Sequence, residues 1–171
     1  MPEPALRLVL DQNFPQPLLR DLAGWLPNDV AITHLGELDD RLRAVSDREL
    51  FIGLRQFGYD GLITNNYRML DVPVEVAAII ATKATVMATV KMGDDPIRAA
   101  GALLLELPGL PSRVRPNRSN VFRLDYRPRK PDDGWQYLKR IADKDGVDVD
   151  DLHAQVRVSQ EELEAPVLPE E

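Results

Sequence analysis

The chain has 171 residues, 44% of them hydrophobic, with no cysteine and only two histidines, His34 and His153. These counts suit a folded domain with a sizeable core. They exclude disulfides, thiol catalysis and thiolate metal sites, and two histidines speak against a multi-histidine zinc centre from one chain. The formal net charge of −7 speaks against nucleic acid only as a sum, because phosphate binding answers to local charge.

The first residues lack the basic and long apolar regions of a secretory leader. No apolar run approaches the roughly 18 residues that span a bilayer, so a cytoplasmic protein is expected. The chain opens with Leu6–Leu10, an aliphatic strand that runs straight into Asp11-Gln12-Asn13. A buried run of this kind suits a central strand of a parallel sheet. Pro15 then starts a helical pattern of Leu18, Leu19, Leu22, Trp25 and Leu26, ended by Pro27-Asn28. Asp29–Leu35 predicts a second strand and 36–45 a polar loop.

Ser46-Asp47-Arg48-Glu49 is a capping-box sequence that opens a helix running to Gly58. Tyr59–Thr64 predicts a third strand, followed by a turn at Asn65-Asn66. Pro73–Thr82 reads as a helix, Ala84–Val90 as a fourth strand, and Asp95-Pro96 as the start of a helix reaching Leu107. This alternation predicts an α/β fold, a three-layer sandwich with helices on both faces of a mainly parallel sheet of four or five strands.

After a proline-rich boundary at 107–116, Asn120–Tyr126 reads as a strand that either joins the sheet edge or stands apart. Helices are expected over Trp135–Asp143 and from Asp150 to about Glu164, before an acidic end. The expected organisation is a core domain over 1–110, an extension of strand and short helices over 111–160, and a flexible acidic tail over 161–171.

In an open α/β sheet, ligands bind beyond the carboxyl ends of the strands. The loops there carry Asp11 and Asn13, then Asp47 and Glu49, then Thr64, Asn65 and Asn66. Clustered oxygen donors suit magnesium or manganese. Each residue also has an ordinary role: Asp11 and Asn13 in a turn, Asp47 and Glu49 in a helix first turn, Asn65-Asn66 in a tight turn. His34 reads as a packed, hydrogen-bonded residue. Neither a Gly-rich dinucleotide loop, a P-loop nor a Gly-x-Ser-x-Gly elbow is present.

Leu-Val-Leu-Asp-Gln-Asn-Phe-Pro, Ser-Asp-Arg-Glu-Leu-Phe and Leu-Ile-Thr-Asn-Asn-Tyr-Arg-Met resemble the landmarks of PIN-like domains, including the VapC-type toxins of toxin–antitoxin modules. The resemblance covers 6–107. It implies a PIN-like, magnesium- or manganese-dependent endoribonuclease that cleaves RNA phosphodiesters with a metal-activated water. A cognate antitoxin is the implied protein partner; apart from the resemblance, the segment beyond Pro108 offers a homodimer contact, a cover for a sheet edge or an antitoxin site.

By that resemblance Asp11 and Asp47 bind the metal. Asn66 is the implied third ligand, a weakened one, because it stands where the family usually has an acid and so removes one negative charge. Asn13, Glu49, Thr64 and Asp71 are the supporting candidates. The alternative is a degenerate, catalytically weak or inactive PIN-like module that binds RNA or a protein. RNA contacts are expected from Arg68 and from the basic stretch Arg113, Arg115, Arg118, Arg123, Arg127, Arg129 and Lys130. That stretch also has the option of pairing with the acidic end of the chain or an acidic partner.

Overall fold

Five runs of aliphatic and β-branched residues form β1 (Leu6–Leu10), β2 (Val30–His34), β3 (Gly61–Thr64), β4 (Thr85–Thr89) and β5 (Asn120–Leu124). In the computed structural model, which describes residues 5–14, 23–92, 95–125 and 130–168, they make one parallel sheet in the order β2-β1-β3-β4-β5. The described residues form eight helices: α1 (Leu35–Leu38), α2 (Asp47–Gln56), α3 (Pro73–Thr82), α4 (Pro96–Glu106), α5 (Leu110–Arg113), α6 (Gly134–Asp145), α7 (Val149–Val156) and α8 (Gln160–Glu164). Among the described residues, no helix is long and apolar enough to cross a membrane.

Side chains alternate across the strands and build two cores. Val9, Leu62, Val86, Ala88 and Val121 face α2, α3 and α6 through Phe51, Leu54, Ile79, Leu138 and Ile141. Leu8, Leu10, Ile63, Met87, Phe122 and Leu124 face the other way, against Ala99, Ala102 and Leu103 of α4. A sheet with both faces covered requires apolar residues in both phases, which is why the strands read as continuous apolar runs.

The first strand, the capping-box helix, the Pro73–Thr82 helix and the helix after Asp95 stand where the sequence places them. The expected helix from Pro15 lies mostly outside the described residues; at its end Ala23–Trp25 forms a 3-10 turn. The expected loop at 36–45 is instead ordered as α1 and a 3-10 turn over Asp40–Arg43. His34 Nδ1 accepts from the Gly36 amide at 3.1 Å, Asp39 caps the turn, and Leu35 and Leu42 anchor both in the core.

Asn120–Leu124 joins the sheet as an edge strand parallel to β4. The helix expected from Asp150 is two helices, each with its own cap, Asp148 for α7 and Ser159 for α8. The segment expected to be a flexible tail begins inside α8. Glu162 there makes a two-point ion pair with Arg48 of α2, at 2.7 and 2.6 Å. The same guanidinium donates to the carbonyls of Val74 and Val156.

Gly61 is a position of close backbone approach, since a Cβ there would lie 1.7 Å from the Thr85 carbonyl oxygen. Gly61→Ala therefore destabilises the fold by about 3 kcal/mol or more in urea denaturation. Gly101→Ala, on α4 with nothing within 4 Å of the added carbon, raises stability by about 0.5–1 kcal/mol. Equal effects of the two would contradict the β3–β4 register.

Candidate functional site

All five strands run the same way, so the loops that follow them share one edge. β1 and β3 are neighbours, and the pairing continues past β1, where the Asp11 amide donates to the Ile63 carbonyl at 2.9 Å. This fixes Asp11 beside Thr64, the last residue of β3. The buried Thr64 hydroxyl donates to Asp11 Oδ2 at 2.7 Å, within the range of charge-assisted bonds, and accepts from the Asn66 amide at 2.9 Å. The Asn66 side chain then donates through Nδ2 to Asp47 Oδ2 at 3.1 Å.

The result is a continuous chain of polar contacts from Asp11 through Thr64 and Asn66 to Asp47. It joins the end of β1, the end of β3 and the first turn of α2. Asn13 Nδ2 reaches Asp11 Oδ2 at 3.3 Å, at the edge of hydrogen-bonding distance. Asn65 accepts from the Thr89 hydroxyl, which ties this loop to the end of β4.

The electrostatics single out Asp47. Burial raises its pKa, the charge of Asp11 raises it further, and the Asn66 amide opposes both. A third acid, Glu75, joins from the first turn of α3. Burial and then the charge of Asp47 push its carboxyl up to about 7. Glu75 Oε2 is shielded from solvent and has no hydrogen-bond partner among the described residues. Asp47 and Glu75 each sit in the first turn of a helix, where the macrodipole favours negative charge. At Glu75, burial and the Asp47 charge outweigh that preference.

The sequence does not single out Glu75. The signal for it is modest: a first-turn acid behind Pro73 in a helix that must begin at the carboxyl edge. Asp71, expected as a supporting residue, is exposed at the end of the 3-10 turn Tyr67–Asp71, outside the hydrogen-bonded chain. Glu49 completes the capping box, its carboxylate accepting from the Ser46 amide and hydroxyl at 2.9 and 2.7 Å, and those bonds lower its pKa. His34 is buried, its Nε2 contacting the Phe14 carbonyl at 3.2 Å while Nδ1 caps α1.

The basic stretch does not form one surface. Arg113 is committed to the buried Glu106 at 2.6 Å and lies over the Phe122 ring. Arg115 and Arg118 line a cavity at the opposite, amino edge of the sheet, with Leu6, Lys83 and Thr85. Arg123 lines a cavity beside Tyr67 and α6. Lys130 and Arg68 are exposed, and Arg127 and Arg129 lie outside the described residues. A strand advances two residues per repeat and crosses the whole sheet, so basic residues near in sequence end far apart.

In kind, the donor set fits a hard divalent cation. It offers two carboxylates on one chain of contacts, an amide able to present its oxygen after a half-turn, and an unpaired Glu75 oxygen. In number it is lean. Among the described residues, no three His, Cys, Asp or Glu side chains close on one point as a metal-binding group. Comparison with protein-family models, with curated proteins and with solved structures returned no match for this chain.

The raised Glu75 pKa has a definite sign in stability. Between its ordinary value of 4.5 and about 7, the folded protein keeps a proton that the unfolded chain releases. Stability contributed by that group therefore falls as pH rises through this window and stays reduced above it. Glu75→Gln is expected to stabilise the protein at pH 8 by about 1–2 kcal/mol, less than full linkage predicts because the side chain is only partly buried. The gain should disappear at pH 4.5. Urea denaturation at the two pH values measures it, and equal shifts at both would remove Glu75 from the charge cluster.

Proposed function

We propose that this protein is a PIN-like metal-dependent endoribonuclease acting in the cytoplasm, the toxin of a toxin–antitoxin module. The observation that supports the reading best is the chain Asp11–Thr64–Asn66–Asp47, which draws carboxylates from two separate elements to the edge where α/β folds bind ligands. Two carboxylates on one chain of contacts, with a third acid of raised pKa beside them, form an arrangement that a divalent cation relieves.

Asp11 and Asp47 would hold the cation, and Asn66 would turn its amide oxygen toward it. When bound, the cation would neutralise charge on a phosphodiester and make a nearby water more acidic. Thr64 holds Asp11 in one rotamer through its hydroxyl. Before a cation binds, Asn66 anchors Asp47 through its side-chain amide. Glu75, with a pKa about 7, is suited to exchange a proton near neutral pH.

One observation favours a second reading, a catalytically weak or inactive module that binds RNA or a protein partner. Asn66 supplies a donor to Asp47 in place of a negative charge, so the edge satisfies part of its own electrostatic demand without a metal.

Incubation with RNA and magnesium or manganese distinguishes the readings. The nuclease reading expects metal-dependent cleavage that falls at least about a hundredfold, roughly 2.7 kcal/mol of transition-state stabilisation, in Asp11→Asn and in Asp47→Asn. Equal cleavage by wild type and both variants would identify a contaminant and end the enzyme reading. Asn66→Asp should behave as a restored acid. Its melting temperature drops below wild type in EDTA and recovers with manganese, and no manganese response in either protein would favour the module.

A further inference from the structure

The acidic edge borders a cavity of opposite character. It lies between the 3-10 turn Tyr67–Asp71 and α6, has a volume of about 270 Å³, and is lined by Arg123, Arg140 and Lys144. None of the three forms an ion pair among the described residues. Asp71 and Asp145 also line it, so cations lead by three to two. In a chain of net charge −7, three unpaired cations around one cavity are a local reversal of the overall sign.

The cavity adjoins the acid chain through the backbone itself. Tyr67, on its wall, follows Asn66 directly, and Pro73, also on its wall, lies two residues before Glu75. Tyr67 is only partly buried and offers an aromatic ring. Arg140 lies over the ring of Tyr137 at 5.0 Å, a contact that holds its guanidinium at the rim. The Tyr137 hydroxyl is turned inward, donating to Asp132 Oδ2 at 2.9 Å. Cations, an aromatic residue on the wall and a volume near the small end of ligand pockets are the components that hold one nucleotide of a single strand.

We propose that this cavity is a nucleotide subsite for single-stranded RNA, next to the phosphate that the acid edge engages. Arg123, Arg140 and Lys144 hold the flanking phosphate, and the Tyr67 ring stacks on the base. The assignment rests on the reading of the acid edge as acting on RNA. It adds the direction in which the strand leaves that edge, over the 3-10 turn toward α6. Of the basic residues expected to contact RNA, it retains Arg123 and leaves out Arg113, Arg115 and Arg118.

The test is fluorescence anisotropy with a labelled single-stranded RNA 12-mer in EDTA, so that binding is read without cleavage. The full-length protein should bind, with affinity that falls as salt rises. The paired reversal Arg140→Glu with Lys144→Glu, both exposed on α6, should weaken binding at least tenfold and flatten the salt dependence by roughly 1.4 in log–log slope, for two lost contacts to a single strand. Tyr67→Ala should weaken it about tenfold with the salt slope unchanged. Arg118→Glu, at the far edge of the sheet, should leave affinity as it is. Unfolding curves check that each variant stays folded.

No binding by wild type in EDTA overturns the proposal, as does wild-type affinity in the paired reversal. If Asp11-dependent cleavage persists while the cavity variants bind normally, the subsite falls and the nuclease reading stands. If the cavity variants lose RNA and wild type never cleaves it, the subsite stands and the nuclease reading falls. An excess of 5′-AMP that competes as well as the oligonucleotide would mark a free-nucleotide pocket and overturn the assignment to RNA.

Discussion

The parallel pairing of β1 with β3 is the constraint from which the carboxyl edge follows. It places the end of one apolar strand against the end of another and carries one hydrogen bond further, from the Asp11 amide to Ile63. A register shifted by one residue would turn Thr64 to the opposite face, and Asp11 would lose its strongest partner. Thr64 has no exposure at all, so its hydroxyl must find partners inside the protein. It finds two, one on each side, and becomes the joint between Asp11 and the Asn66 loop.

Around that joint the site holds charge that it does not fully compensate. Asp47 is close enough to Asp11 and to Glu75 to alter its own ionisation and that of Glu75. Single hydrogen bonds from neutral groups answer these charges only in part. A fold selected for stability alone has little reason to gather two helix-start acids and a third at a strand end, and to leave one carboxylate oxygen without a partner among the described residues. The cost is tolerable because the helix dipoles of α2 and α3 both point their positive ends at this edge.

Much of this is legible in the sequence. Leu6–Leu10 with Asp11 behind it, the capping box at Ser46, and Asn66 after an apolar strand are all local patterns, and local patterns survive folding. What was hidden depends on pairs distant in sequence. Glu75 is an ordinary first-turn acid until α3 packs against α2 and brings it to Asp47. Arg48 looks like one more surface arginine until Glu162 arrives from 114 residues away. The basic stretch reads as one patch because sequence proximity does not show that β5 carries its members from one edge of the sheet to the other. Arg113 turns inward because Glu106, buried a helix earlier, needs a counter-charge.

Arg48 follows Asp47 in the chain, and its guanidinium also reaches the carbonyl of Val74, the residue before Glu75. One side chain thus spans the starts of α2 and α3 and is itself gripped from behind by α8. Two acid-bearing helix starts are therefore braced by a helix that contributes no atom to the edge. The last helix works like a clasp over a hinge: undocked, it takes away the carboxylate that grips Arg48 and leaves the two helix starts to the packing of α2 on α3.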